Sequence, residues 1–96
     1  MTIKQIGKKI GINKETLRER FSVKRIGVFG SYARGDYSGQ SDVDMLVEFA
    51  RPIDLFAFIR LENFLSNCLR KRVDLVTRRA LKPLIKKDIL KETVYL

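Results

Sequence analysis

The chain is 96 residues long, with 20 Lys+Arg against 11 Asp+Glu and a formal net charge of +9. That length supports a single domain over residues 1–96, with a core too small to tolerate buried polar groups that lack a reason. The absence of histidine excludes Ser-His and Cys-His catalysis and imidazole zinc sites, and the lone Cys68 excludes an intrachain disulfide or a Cys-rich metal cluster.

Thr2 is placed to cap a first helix with Ile3, Ile6 and Ile10 on one face, and Gly11 is expected to break it. Asn13 then starts a short second helix with Leu17 and Phe21 inward. Val23–Phe29 is rich in β-branched residues and ends at Gly30, which predicts a strand. Ser31–Gly35 predicts a short turn or helix, and Asp36–Ser41 a polar loop. Val43–Phe49 is a second strand, stopped by Arg51-Pro52. Asp54 caps a long helix whose apolar stripe is Leu55, Phe58, Leu61, Leu65 and Cys68, with Arg70 and Lys71 favourably placed at its C-terminal end. Arg72–Val76 predicts a third strand, Leu81–Leu90 a last helix, and Val94–Leu96 a short extended tail. This alternation predicts a small α/β (α+β) domain, with helices flanking a small mixed sheet.

Charge is unevenly spread. Residues 1–25 carry eight basic and two acidic residues, and residues 70–96 carry nine and three, so each flank holds +6. Residues 26–69 hold three basic and six acidic residues, a local −3. The total points to an anionic partner such as a nucleotide or nucleic acid. The acidic middle is not needed by a plain DNA-binding module, and it suits a site that holds metal cations and receives a polyphosphate. No apolar run approaches membrane-spanning length and the N-terminus lacks a signal-peptide pattern, so a cytoplasmic protein without membrane contact is expected.

The chemistry concentrates at two strands. In Ser41-Asp42-Val43-Asp44, residues two apart on a strand share a face, which sets Asp42 beside Asp44. Two ionised carboxylates that close need a cation, a shared proton or a basic partner. Asp74 is the only acid in the apolar run Val73–Val76, and an aspartate there is disfavoured without a partner. If the two strands are neighbours, three carboxylates form a hard-oxygen site suited to Mg²⁺ or Mn²⁺. Gly30-Ser31-Tyr32-Ala33-Arg34-Gly35 leaves the first strand. Gly30 permits close approach of a phosphate, Ser31 offers a hydroxyl and an N–H, and Arg34 a guanidinium. A phosphate cradle beside paired carboxylates suits in-line attack at phosphorus.

Gly30-Ser31, ten residues, then Asp42-x-Asp44 resembles the signature of the polymerase-β-like nucleotidyltransferase superfamily. The fuller string GSYARGDYSGQSDVDMLVEF followed by RVDLV is similar to its minimal nucleotidyltransferase branch, over roughly Val23 to Val76. The resemblance implies that Asp42 and Asp44 bind two divalent metals, and that Asp74 binds the metal nearer the acceptor and helps activate its hydroxyl. It implies that Gly30 and Ser31 hold the β,γ-phosphates of an NTP such as ATP, while an acceptor hydroxyl attacks the α-phosphorus and pyrophosphate leaves. It further implies an antitoxin paired with a HEPN-family toxin, whose tyrosine is an acceptor for AMP and whose surface completes the site of so small a domain.

Other readings compete. Asp74 can be a structural ion-pair partner of Arg72 or a nearby lysine. Arg34 can be a plain surface arginine, Asp36 belongs to the loop, and Tyr32 either lines the nucleotide pocket or faces solvent. Cys68 is expected in the core. Ile6–Arg18 resembles a helix-turn-helix, with Gly11 in the turn and Asn13 capping the next helix. Against a DNA-binding module, no third helix follows to brace that pair. An antitoxin that only binds its partner, without turnover, is the remaining alternative.

Overall fold

The computed structural model describes residues 1–96. Helix α1 (Ile3–Ile12) opens with a reciprocal cap. The Thr2 hydroxyl accepts the Gln5 N–H at 3.2 Å, and the Gln5 amide oxygen accepts the Thr2 N–H at 2.8 Å. Gly11 does not break this helix, because a glycine in a helix weakens it without removing a hydrogen bond. The break falls at Asn13, whose N–H turns back to the Ile10 carbonyl at 3.0 Å and whose side-chain amide donates to the Lys9 carbonyl at 2.9 Å. That side chain therefore closes α1 and makes no capping bond to α2 (Lys14–Phe21).

β1 (Val23–Phe29), the short α3 (Gly30–Arg34) and β2 (Val43–Phe49) follow, then α4 (Leu55–Leu69) and β3 (Val73–Thr77). A 3₁₀ turn over Arg78–Ala80 leads to α5 (Pro83–Glu92) and β4 (Val94–Tyr95). β3 starts one residue later than expected. α5 starts at Pro83 rather than Leu81, because proline suits the first helical position while the Thr77 hydroxyl caps the preceding turn at Ala80 N–H. The sheet order is β3-β2-β1-β4, with β2 and β3 parallel and the other pairs antiparallel. The expected mixed sheet flanked by helices is what forms.

One face of the sheet carries Ile26, Val28, Val43, Met45, Val47, Val73 and Leu75, which pack with Ile6, Ile10, Leu17 and Phe21 of the first two helices and with Leu61, Leu65 and Leu69 of α4. The bracing helix absent from the local sequence of α1 and α2 is thus supplied by α4, which begins only at Leu55, beyond β1 and β2. The stripe of α4 differs from expectation at both ends. At about 100° per residue, Leu69 lies only about 40° around the helix from Leu65, and Cys68 about 60° the other way. Leu69 is buried and Cys68 only half-buried, with burial still raising its thiol pKa. Leu55 lies off the stripe and is 68% exposed. We expect Leu65→Ala to cost about 2–5 kcal/mol in denaturant unfolding, because the side chain is fully enclosed, and Leu55→Ala to stay within about 0.5 kcal/mol. Equal losses at the two positions would contradict this core.

Candidate active site

The alternation that buries Val43, Met45 and Val47 turns Asp44 to the opposite face of the sheet. Asp42 precedes β2 by one residue, and its charge is felt at Asp44. β2 and β3 run parallel in the register Val43↔Val73, Asp44↔Asp74, Met45↔Leu75, so Asp74 stands directly beside Asp44. The two acidic segments are neighbours, as the three-carboxylate expectation required. Asp74 is exposed and makes no ion pair with Arg72. The Arg72 guanidinium instead lies 3.9 Å from Asp42, a loose contact between two side chains that are 84% and 46% exposed.

Asp44 is half-buried, and its carboxyl is raised above its ordinary pKa. Burial is the main cause, followed by the charges of Asp74 and Asp42, and Arg34 partly offsets them. In the arrangement present, no three acidic side chains form a closed ligand cage. The donors are all carboxylate oxygens, and the repulsion on Asp44 is what a divalent cation relieves. An all-oxygen donor set is the chemical type that Mg²⁺ and Mn²⁺ take.

Phe29 pairs with Asp44 across β1 and β2, which brings the next residue, Gly30, against the same carboxylate. Gly30 has φ +71°, and a Cβ built there would overlap the Asp44 Oδ2. Glycine is thus required here by its own backbone and by the seat of Asp44, a reason beyond the phosphate approach read from the sequence. Ser31 follows, half-buried, and its carbonyl accepts the N–H groups of Gly35 at 2.9 Å and Asp36 at 3.1 Å, closing the turn of α3. Tyr32 does not face solvent. It is 2% exposed and stacks on Tyr37 with ring centroids 4.3 Å apart.

Arg34 is exposed, and its guanidinium is held by two carboxylates. It donates to Glu92 at 3.0 Å and to Asp36 at 3.2 Å, and Glu92 then Asp36 raise its pKa. Glu92 was invisible in the sequence, because it lies far from the motif and belongs to none. The only hint is an acid in the last turn of a helix, where the helix dipole disfavours a negative charge. A concavity of about 550 Å³, lined by Phe49, Pro52, Ile53, Phe58 and Arg78 among others, opens at the far end of β2 and is not part of this constellation.

The comparisons with known proteins agree with this geometry. Residues 12–96 match the Nucleotidyltransferase domain family. The protein adenylyltransferase MntA of Thermococcus cleftensis is 47% identical over 95 residues, covering 99% of this chain and 96% of its own. A solved minimal nucleotidyltransferase superposes with a TM-score of 0.81 at 33% identity, over 100% of this chain and 97% of that one. A toxin–antitoxin crystal structure with AMP-PNP superposes with a TM-score of 0.74 at 28% identity, over 92% of this chain and 69% of that one. The chain belongs to the nucleotidyltransferase domain family. Within that family it is an enzyme, a nucleotidyltransferase, and its Thermococcus relative is a protein adenylyltransferase. No helix is long and apolar enough to cross a membrane.

Proposed function

We propose that this enzyme transfers AMP from ATP to a tyrosine hydroxyl of a HEPN-family toxin and serves as the antitoxin of that pair. The observation that carries the reading is the register of Asp44 with Asp74, with the charge of Asp42 felt at Asp44 and Gly30-Ser31 against Asp44. The MntA relative, named a protein adenylyltransferase, supports a protein acceptor, and the toxin–antitoxin relative with AMP-PNP supports a toxin partner and an ATP-like donor.

Asp42, Asp44 and Asp74 are the residues that would hold two Mg²⁺ ions, with Mn²⁺ as a substitute. Such ions, when bound, neutralise phosphate charge and lower the pKa of a coordinated hydroxyl. The chain's own groups do the rest. Gly30 and Ser31 hold the β- and γ-phosphates, and Arg34 adds its guanidinium. The acceptor oxygen bonds to the α-phosphorus as the bond to the bridging oxygen of the β-phosphate breaks. Asp74, on the exposed edge strand where an acceptor can reach it, helps draw off the hydroxyl proton. Pyrophosphate leaves. The partner's surface completes a site that this small domain leaves open.

Incubation with ATP radiolabelled at the α-phosphate and Mg²⁺, with and without the HEPN partner, tests the reading. Label on the partner is the expected result. Tight association without label would instead make the protein a binding-only antitoxin, and binding to duplex DNA alone, with steep salt dependence, would favour a DNA module. We expect Asp74→Asn to leave AMP-PNP affinity within about twofold while turnover falls by roughly 10²–10⁴. Loss of AMP-PNP binding in that variant would overturn the division of roles between Asp74 and the Asp42–Asp44 pair.

A further inference from the structure

The last residue of α5 brings a carboxylate to the same groups assigned above to the triphosphate. Glu92 Oε2 accepts the Gly30 N–H at 2.8 Å, and Glu92 Oε1 accepts from Arg34 Nη1 at 3.0 Å. The side chain is 24% exposed, so the bridge is partly shielded from water. Two anionic oxygens spanning a backbone amide and a guanidinium make the contacts that two phosphate oxygens make. One N–H donates one strong hydrogen bond at a time, so the Glu92 contact and a phosphate contact at Gly30 exclude each other.

The setting of Glu92 fits a displaceable occupant. Its charge sits at the C-terminal end of α5, where the dipole disfavours it, so the Gly30 and Arg34 contacts compensate a poor position. No side chain of α5 is buried, and Leu84 is 94% exposed. The helix is anchored at its end, by the pairing of β4 with Gly27 and Val28 and by the Glu92 bridge. The Glu92 charge also adds to the repulsion felt by Asp44, so its departure lowers the negative charge that an incoming triphosphate meets.

We infer that Glu92 determines nucleotide affinity: in the free protein its carboxylate occupies the phosphate cradle of Gly30 and Arg34, and a nucleoside triphosphate must displace it to bind. The inference rests on the assignment of Gly30 and Arg34 to the triphosphate. A contrary role, in which Glu92 holds Arg34 ready for the nucleotide, predicts the opposite sign for its removal.

Glu92→Gln separates the two, because it keeps the size and one acceptor oxygen while removing the charge. Calorimetric titration with AMP-PNP and Mg²⁺ should show the Kd of the variant falling by about tenfold, the scale of one charge-assisted contact made neutral. Glu92→Ala should tighten binding at least as much. In the wild-type chain, AMP-PNP should speed amide exchange in the last turn of α5 as the bridge opens. Wild-type binding that is unchanged or weakened by Glu92→Gln overturns the inference and leaves the nucleotide site standing. Failure of both chains to bind AMP-PNP overturns the inference together with the nucleotide site.

Discussion

Asp44→Asn should abolish nucleotidyl transfer and leave the protein folded and slightly more stable. The two effects have one cause. Asp44 is held half-buried beside Asp74 and Asp42, and burial with like charge raises its pKa above that of the unfolded chain. The folded state therefore binds the proton more tightly than the unfolded one. The favourable contribution of protonated Asp44 is complete below the unfolded pKa, about 3.9, and is lost as pH rises from there through the folded value. Asparagine is neutral throughout. The variant should melt a few degrees higher than wild type at neutral pH, and the gap should close in acid. Addition of Mg²⁺ should raise the melting temperature of the wild type and leave Asp44→Asn unmoved. Transfer should fall by at least about 10³-fold, as removal of charge stabilisation at a phosphoryl centre does. Asp42→Asn should share the loss of transfer and of Mg²⁺-dependent ATP binding, with a smaller stability gain, since Asp42 is the more exposed. Wild-type transfer rates in both variants would refute the metal assignment.

Gly30→Ala should damage both the fold and the site. At φ +71° an L side chain costs about 1–2 kcal/mol from the backbone alone, and the added methyl meets the Asp44 carboxylate. Asp44 must swing away, which moves the carboxylate proposed to hold the metal by on the order of an ångström and should lower transfer by about 10²-fold or more. Urea unfolding should show a loss of about 1–3 kcal/mol. Gly11→Ala is the matching control. Its Cβ would meet nothing within 4 Å and its backbone is helical, so alanine there should stabilise by about 0.5–1 kcal/mol with transfer unchanged. Equal behaviour at the two glycines would mean that the seat of Asp44 does not depend on Gly30.

The elements carried by periodicity were legible with only local errors. Short runs rich in β-branched and apolar residues, bounded by Gly30 and by Arg51-Pro52, marked the strands, and the three- and four-residue spacing of Phe58, Leu61 and Leu65 marked α4. The misplaced boundaries lie where a side chain chooses between two partners. Asn13 donates backward to Lys9 and so ends α1, where the sequence pointed to Gly11. Cys68 and Leu69 compete for one stripe, and Leu69 wins because it lies about 40° from Leu65 where Cys68 lies about 60° from it on the other side. Tyr32 reads as polar next to a cradle, yet a stacking partner five residues on takes it inward.

The candidate site divides along the same line. The period two of a strand reads Asp42 beside Asp44 from the sequence, and the charge of Asp42 is felt at Asp44. The sequence by itself determined that pair, the Gly30-Ser31 turn after β1, and the acidic middle between basic flanks. Only the tertiary structure decided that Asp74 pairs with Asp44, because strand order and register are set by how β2 and β3 bury Val43, Met45, Val73 and Leu75 against the helices. It alone placed Asp44 over Gly30 and returned Glu92 to the same glycine. Those contacts join residues far apart in the chain, and the closure of long loops leaves no local periodicity from which to read them.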